Sequence, residues 1–210
     1  MPDIISGHWT SIFNSMAELP ALVVIMVWPV IPLFWIPVHG LPKVFKKLGL
    51  LSYIVPAVLW LPLAFIIYSN RMVILSGRVG LPGGVIAAGS IIFILGAGLQ
   101  VWTARLLTMK GIMGMPEVSA AVEGRFVTSG PFAVVRHPTY LSHTLMFLGI
   151  FLMTGFHALG YLTLLDLLLV ALIIIPLEDR ELSGRFGPAY DEYRKRVPAF
   201  FPFKRPGRNR

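Results

Sequence analysis

Apolar runs of about twenty residues, each closed by a polar or glycine–proline break, set the rhythm of this chain. The first runs from Pro20 to Val38 with Pro29 and Pro32 inside it, and His39-Gly40-Leu41-Pro42 ends it ahead of Lys43, Lys46 and Lys47. The second runs from Leu48 to Ser69 with Pro56 and Pro62, and the third from about Pro82 to Leu107. A fourth, Tyr140 to Phe156, and a fifth, Tyr161 to Leu177, are joined by a turn at His157 to Gly160. About twenty apolar residues in a helix cross the roughly 30 Å of a bilayer's hydrocarbon; the last two runs are at the short end and read as a helical hairpin. Internal prolines kink such helices without abolishing them, because neighbouring helices satisfy the freed carbonyls. The pattern predicts an all-α membrane protein with about five transmembrane helices.

The polar stretches differ in weight. Asn70 to Gly80 is a short connection holding Arg71 and Arg78, whereas Thr108 to Thr139 is too long for a plain connector and reads as a functional loop. Gly84, Gly89, Gly96 and Gly98 on the third run permit close helix packing. Beyond Glu178 the chain is dense in charge. There Gly187-Pro188 is a helix start, Tyr190, Tyr193 and Val197 fall on one face, Asp191, Glu192, Arg194 and Lys195 on the other, and Pro198 is a stop. This predicts an interfacial amphipathic helix in the tail. We read one integrated domain, with residues 1–107 as a three-span region and 108–210 carrying loop, hairpin and tail.

Composition sharpens this. Hydrophobic residues make up 56% and charged residues 13%, with a mean hydropathy of +0.75, the profile of a membrane protein. Cysteine is absent, which excludes disulfides, thiolate nucleophiles and cysteine metal sites. The net charge of +8 comes from loops and tail, so anionic lipid explains it and nucleic acid is not expected. Of the 18 Lys and Arg, only Arg71 and Arg78 fall on one side of a five-span arrangement. The asymmetry predicts an external N-terminus, with the C-terminus and the functional loop cytoplasmic. Asp3 and Glu18 argue against the basic start of a cleavable signal, and the ending Gly-Arg-Asn-Arg against a prenylation site. No glycine-rich phosphate fingerprint follows a strand, so a Rossmann domain is not expected. Nothing in the sequence signals an oligomeric state.

Chemistry gathers at two places. In Val127 to Tyr140, Pro138 suits a first helical position, which puts His137 near the N-cap beside free N–H groups and the positive end of the helix dipole. Arg136, His137 and Tyr140 then stand together at a membrane edge, as an anion site or as a plain interfacial anchor. At the end of the fifth run, Glu178 and Asp179 repel one another unless a cation meets them, and Arg136 is the candidate. No His–carboxylate pair has metal-ligand spacing, so no metal is expected. Asp166, in mid-span, faces either a substrate tunnel or a partner on another span. His143 either extends the site or packs as a polar residue; His8, His39 and His157 read as surface or interfacial.

Gly130-Pro131-Phe132 followed by Arg136-His137-Pro138-Thr139-Tyr140 resembles a motif of the isoprenylcysteine carboxyl methyltransferases and related phospholipid methyltransferases. Glu178-Asp179-x-x-Leu182-x-x-x-Phe186-Gly187-x-x-Tyr190-x-x-Tyr193 is similar to their tail, and Val197 to Pro202 to its ending. The resemblance implies an S-adenosylmethionine enzyme acting on a lipophilic small molecule that enters from the bilayer. It implies cofactor contacts at Glu117, Gly124, Arg125, Phe126, Val127, Phe132, His137, Pro138, Tyr140 and Glu178, with Arg136, Glu178 and Asp179 as catalytic candidates. One departure matters. Where prenylcysteine-methylating members carry an arginine, this chain has Leu172-Ile173-Ile174-Ile175-Pro176, which favours a lipid amine or other apolar acceptor over a carboxylate. The alternatives are a membrane reductase of the sterol reductase type, using NADPH, and a small transporter or adaptor.

Overall fold

The computed structural model describes residues 17–202; His8, Ser6 and the basic residues from Lys204 onward lie outside the described residues. Helix α1 (Ala17–Gly40) turns at Trp28 and Pro29, where proline removes a donor from the helical ladder. Helix α2 (Pro42–Ser69) starts on Pro42 and tightens into a 3-10 turn at Gly49–Tyr53. The lysines expected in a loop, Lys43, Lys46 and Lys47, therefore sit on its first turns. Helix α3 (Gly83–Ile112) outruns its expected end at Leu107 and is interrupted at Thr108, whose φ of 67° and ψ of 163° no regular helix allows.

Helix α4 (Pro138–Thr154) ends at Gly155, whose φ of 73° is the left-handed conformation that glycine tolerates at a helix stop. The expected turn at His157 to Gly160 lies two residues earlier, and helix α5 already begins at His157. Gly77 and Val79 close this turn from the side: His157 N–H donates to Gly77 O at 3.0 Å and Val79 N–H to Gly155 O at 2.9 Å.

Helix α5 (His157–Phe186) passes its expected end at Leu177, with a π-type turn at Val170–Ile174. At 1.5 Å per residue its 30 residues reach about 45 Å, so Glu178 falls where a crossing of about 30 Å ends. Gly187, at φ 59°, turns the chain into α6 (Pro188–Arg196).

Among the described residues four helices, α1, α2, α5 and the one spanning Gly83–Val118, are long and apolar enough to cross a membrane. The expected fifth, α4, has 17 residues, or about 26 Å, and falls just short on length. Its most extensive partner is α3. A Cβ on Gly89 would meet Leu152 at 2.7 Å, one on Gly96 would meet Leu145 at 3.0 Å, and one on Gly149 the Phe93 backbone at 2.7 Å. Missing side chains thus let the two backbones approach. Gly84 and Gly98 have nothing within 4 Å and take no part. In mid-bundle Asp166 is buried and accepts from Trp28 Nε1 at 2.9 Å and Thr144 Oγ1 at 2.8 Å. Of its two readings the structure takes the structural one: it ties α1, α4 and α5 together.

Candidate active site

The tail is folded back onto the residues before α4. Arg136 N–H donates to Pro198 O at 2.9 Å and His137 N–H to Ala199 O at 3.0 Å, while Tyr193 O–H reaches Phe132 O at 2.6 Å. Phe200 then packs among Tyr140, Val170, Ile174 and Ile175. The Ile174–Ile175 region that lacks the arginine is thus a dry seam under the tail.

At the centre is a buried network of charges. Arg136 holds Asp179 through Nη2 at 2.5 Å and Nε at 3.3 Å, and its Nη1 donates to Val197 O at 2.6 Å and Arg194 O at 3.3 Å. Tyr190 O–H also donates to Asp179. Burial and the Asp179 carboxylate both push that phenol well above its ordinary range, so it stays a donor. The cation expected to meet the carboxylate pair therefore meets Asp179, and Glu178 turns to histidine instead. His137 caps α4 with Pro138 at the first position, as its spacing predicts. Its Nε2 lies 2.9 Å from Asp179 Oδ1 and its Nδ1 3.2 Å from Glu178 Oε2. Burial pulls the His137 pKa down, but the Glu178 charge and the Asp179 hydrogen bond outweigh it and raise it to about 9. His137 is an imidazolium bridging two carboxylates.

Above this network opens a cavity of about 980 Å³ counting its mouth and the open space before it. Glu117, Gly124, Arg125, Phe126, Val127, Phe132, Arg136, His137, Tyr140 and Glu178 all line it. Two of the expected residues do not. Pro138 is buried in the start of α4, and Asp179 faces the Arg136 network. The oxygens of Asp179, one of the catalytic candidates, are taken up by Arg136, His137 and Tyr190, which places it where the tail is anchored and not on the cavity wall.

Orphaned buried polar atoms mark the walls: Glu117 Oε2, Thr139 Oγ1 and His143 Nδ1 have no hydrogen-bond partner, and beside them stands the Glu178 carboxylate, paired with His137. Such atoms are costly unless a ligand or water meets them. Phe126 stacks on Phe186 at 5.1 Å and meets Tyr193 edge-on at 5.6 Å, an aromatic shelf on the opposite side. His143 lines the cavity, the site-extending option of its two readings. Gly124 lets the loop pass close to Arg185, whose Nη1 a Cβ would meet at 2.6 Å.

Three residues escaped the sequence reading. Arg185 lines the cavity and bridges Glu117 at 2.9 Å and Glu181 at 2.6 Å. Glu181 and Arg185 looked like tail charges because α5 was expected to stop at Leu177. His39, expected at a surface, is only 4% exposed, because the end of α5 packs over the last turn of α1. No linear signal joins positions so far apart. Exposed His157 keeps its surface reading. Among the described residues, no group of three or more His, Cys, Asp or Glu is placed to hold a metal ion.

A helical membrane protein with a polar, aromatic-shelved cavity at one end of its long helices is the class that fold and site define. The chain belongs to the phospholipid methyltransferase family, whose model matches residues 85–189, from α3 into α6. It is 36% identical over 115 residues to the cobalt-zinc-cadmium resistance protein CzcN of Cupriavidus metallidurans, covering 48% of this chain and 51% of that one. It is 30% identical over 138 residues to the nickel-cobalt-cadmium resistance protein NccN of Alcaligenes xylosoxydans xylosoxydans, covering 60% and 64%. Over 97 residues it is 33% identical to methanethiol S-methyltransferase 2 of Bradyrhizobium diazoefficiens, covering 43% and 36%. The match thus spans between about a third and two thirds of these relatives. No solved structure matches the chain. The family favours methyl transfer over the reductase alternative.

Proposed function

We propose that the protein is an integral membrane methyltransferase that takes S-adenosylmethionine in the cavity described above and methylates a lipophilic neutral nucleophile, an amine or a thiol. The observation that carries this reading is the pair of orphaned polar atoms Glu117 Oε2 and Thr139 Oγ1, with the Glu178 carboxylate beside them, around a cavity with an aromatic shelf. They fit the cofactor's chemistry. Glu117 and Glu178 suit its ammonium and ribose hydroxyls, Thr139 and the free N–H groups at the start of α4 suit its carboxylate, and Phe126, Phe132 and Phe186 suit its adenine. When bound, the cofactor supplies a methyl group carried on a sulfonium. The protein's part is alignment and exclusion of water, because an in-line displacement needs little proton transfer at the reacting carbon. His137 holds Glu178, the Arg136–Asp179 pair holds the tail over the site, and Tyr190 and Tyr193 close it.

The acceptor follows from what surrounds the cavity. Arg136 is consumed by Asp179 and two carbonyls, Arg185 by Glu117 and Glu181, and the Ile173–Ile175 stretch offers no cation; Arg125, on the loop side of the wall, donates to the Leu106 carbonyl. A carboxylate acceptor buried on the Ile173–Ile175 side would go unpaired at a cost of several kcal/mol, whereas a neutral nucleophile avoids it. Trp35 and Ile112 continue the cavity wall into an apolar groove lined by Val30, Phe34, Tyr53 and Trp60, which suits an acceptor arriving from lipid. The resistance and methanethiol names belong to the relatives; the thiol chemistry of one is consistent with this class of acceptor. Methyl-labelled S-adenosylmethionine given to membranes containing the protein should deliver label to the solvent-extractable lipophilic fraction. Label confined to protein or water would refute the acceptor class.

A further inference from the structure

Behind Glu178, away from the cofactor cavity, stands a histidine that the reading above does not use. His39 is stacked on Trp35, with ring centroids 5.1 Å apart and planes 12° from parallel. Its two nitrogens face two different carboxylates. Nε2 lies 4.0 Å from Glu178 Oε2, and Nδ1 lies 3.9 Å from Glu181 Oε2. Both nitrogens and Glu181 Oε2 are buried and without a hydrogen bond, while Glu178 Oε2 is paired on its far side with His137 Nδ1 at 3.2 Å. Three orphaned atoms in one row are not explained by packing, since each carries a desolvation cost that a shift of about 1 Å would remove.

The row joins two spaces. Glu178 lines the cofactor cavity, and His39 and Glu181 line a second cavity of about 980 Å³ counting its mouth, between the start of α2 and the end of α5. Exposed Lys43, Lys46 and Arg180 rim that second cavity. An imidazole with a carboxylate at each nitrogen can accept a proton on one side and release one from the other.

We propose that Glu178, His39 and Glu181 form a proton relay that carries the acceptor's proton out of the cofactor cavity into the second, water-facing one. The inference rests on the methyl-transfer reading. An amine or thiol acceptor must shed a proton, and the site above it is closed by the tail. In the balanced step, the acceptor's nitrogen or sulfur forms a bond to the methyl carbon as the carbon–sulfur bond of the sulfonium breaks, its electron pair remaining on that sulfur. The acceptor's proton passes to Glu178, Glu178 hands it to His39 Nε2, and His39 releases the proton of Nδ1 to Glu181 and so to water. No further reactant is needed. The charged and titratable neighbours are placed for this direction. His137 and Tyr140 hold the Glu178 carboxylate in its charged form from the start of α4, so Glu178 passes a proton on and does not keep it, and Arg185 holds the other oxygen of Glu181, Oε1, at 2.6 Å. The lysines of α2 and Arg180 stand at the exit, where they favour release of a proton to water over its retention.

Two readouts test the relay. The first needs no turnover: exchange of the His39 ring N–H with water in histidine-labelled protein, the resonance being assigned by its loss in His39→Gln. It should exchange readily in the wild type and slow about tenfold or more in Glu181→Gln, which removes the outer acceptor. Protection for hours in the wild type, or no change in Glu181→Gln, would overturn the relay. The second compares dodecanethiol, which must lose a proton, with methyl dodecyl sulfide, which has none to lose. His39→Gln should lower the thiol rate about 10²-fold relative to the sulfide rate, and added imidazole should restore the thiol rate of His39→Ala. Equal losses on both acceptors would mean that His39 only packs. A wild type that fails to bind S-adenosylhomocysteine would sink the methyltransferase reading itself, whatever the exchange shows. Where it binds but methylates neither probe, the exchange result decides the relay.

Discussion

Asp179 accepts from Arg136, His137 and Tyr190 and lies off the cavity wall, while its neighbour Glu178 lines the cavity. The two acids therefore separate under substitution. Asp179→Asn breaks a buried ion pair and leaves Arg136 uncompensated, a loss of about 3 kcal/mol in stability. Thermal unfolding in detergent should show it as a large drop in midpoint; an unchanged midpoint would dissolve the anchoring role. His137 adds a pH signature. Its pKa is raised in the folded protein, from 6.5 to about 9, so its stabilisation is complete below pH 6.5. Above that the unfolded chain sheds the proton first, and stability falls by up to about 1.4 kcal/mol per pH unit until the folded pKa is passed. Unfolding scans between pH 6.5 and 9 should show this decline in the wild type and a smaller one in Asp179→Asn, where the Glu178 charge still raises the His137 pKa. The pairing of Arg136 with one of the two acids was legible in the sequence, from adjacent carboxylates opposite a lone cation. Which acid it takes was not, because that depends on the tail carbonyls of Arg194 and Val197 fixing the guanidinium's orientation.

Helix α4 is the element on which the site depends, and glycine sets its position. Gly96 and Gly149 lie where the α3 and α4 backbones touch, so Gly96→Leu should overpack the seam and cost about 1–3 kcal/mol. Gly98→Leu, with open space around it, should cost little. Equal midpoints for the two variants would contradict the seam. Helix existence was readable here from apolar runs, and the start of α4 from His137-Pro138. The C-terminal end of α5 was not. Glu178, Asp179, Arg180 and Glu181 look like the edge of a span, yet the helix continues because nothing before Gly187 stops it. That continuation brings Glu181 and Arg185 to the site and covers His39. The same limit applies to the 108–139 stretch, whose polarity marked it as functional but whose path is set by Gly114 and the Glu117–Arg185 pair.

Four helices of crossing length among the described residues make this a multi-pass membrane protein, and the asymmetry of Lys and Arg is the ground for the orientation expected of it. The chain has no native cysteine, so single-cysteine labelling reads orientation directly. A cysteine at exposed Ala120 should react only after the cells are permeabilised, and one at exposed Gly80 from outside; the reverse would invert the topology. Our proposal puts the chemistry at the cytoplasmic end, where a water-soluble cofactor and an acceptor dissolved in lipid can meet. The cavity's acids make one claim about its ligand, and calorimetry tests it most directly. Detergent-solubilised wild type should bind S-adenosylhomocysteine and not NADPH, and Glu178→Gln should weaken that binding by about 1–3 kcal/mol. Binding of NADPH instead, or S-adenosylhomocysteine affinity indifferent to Glu178, would contradict the account.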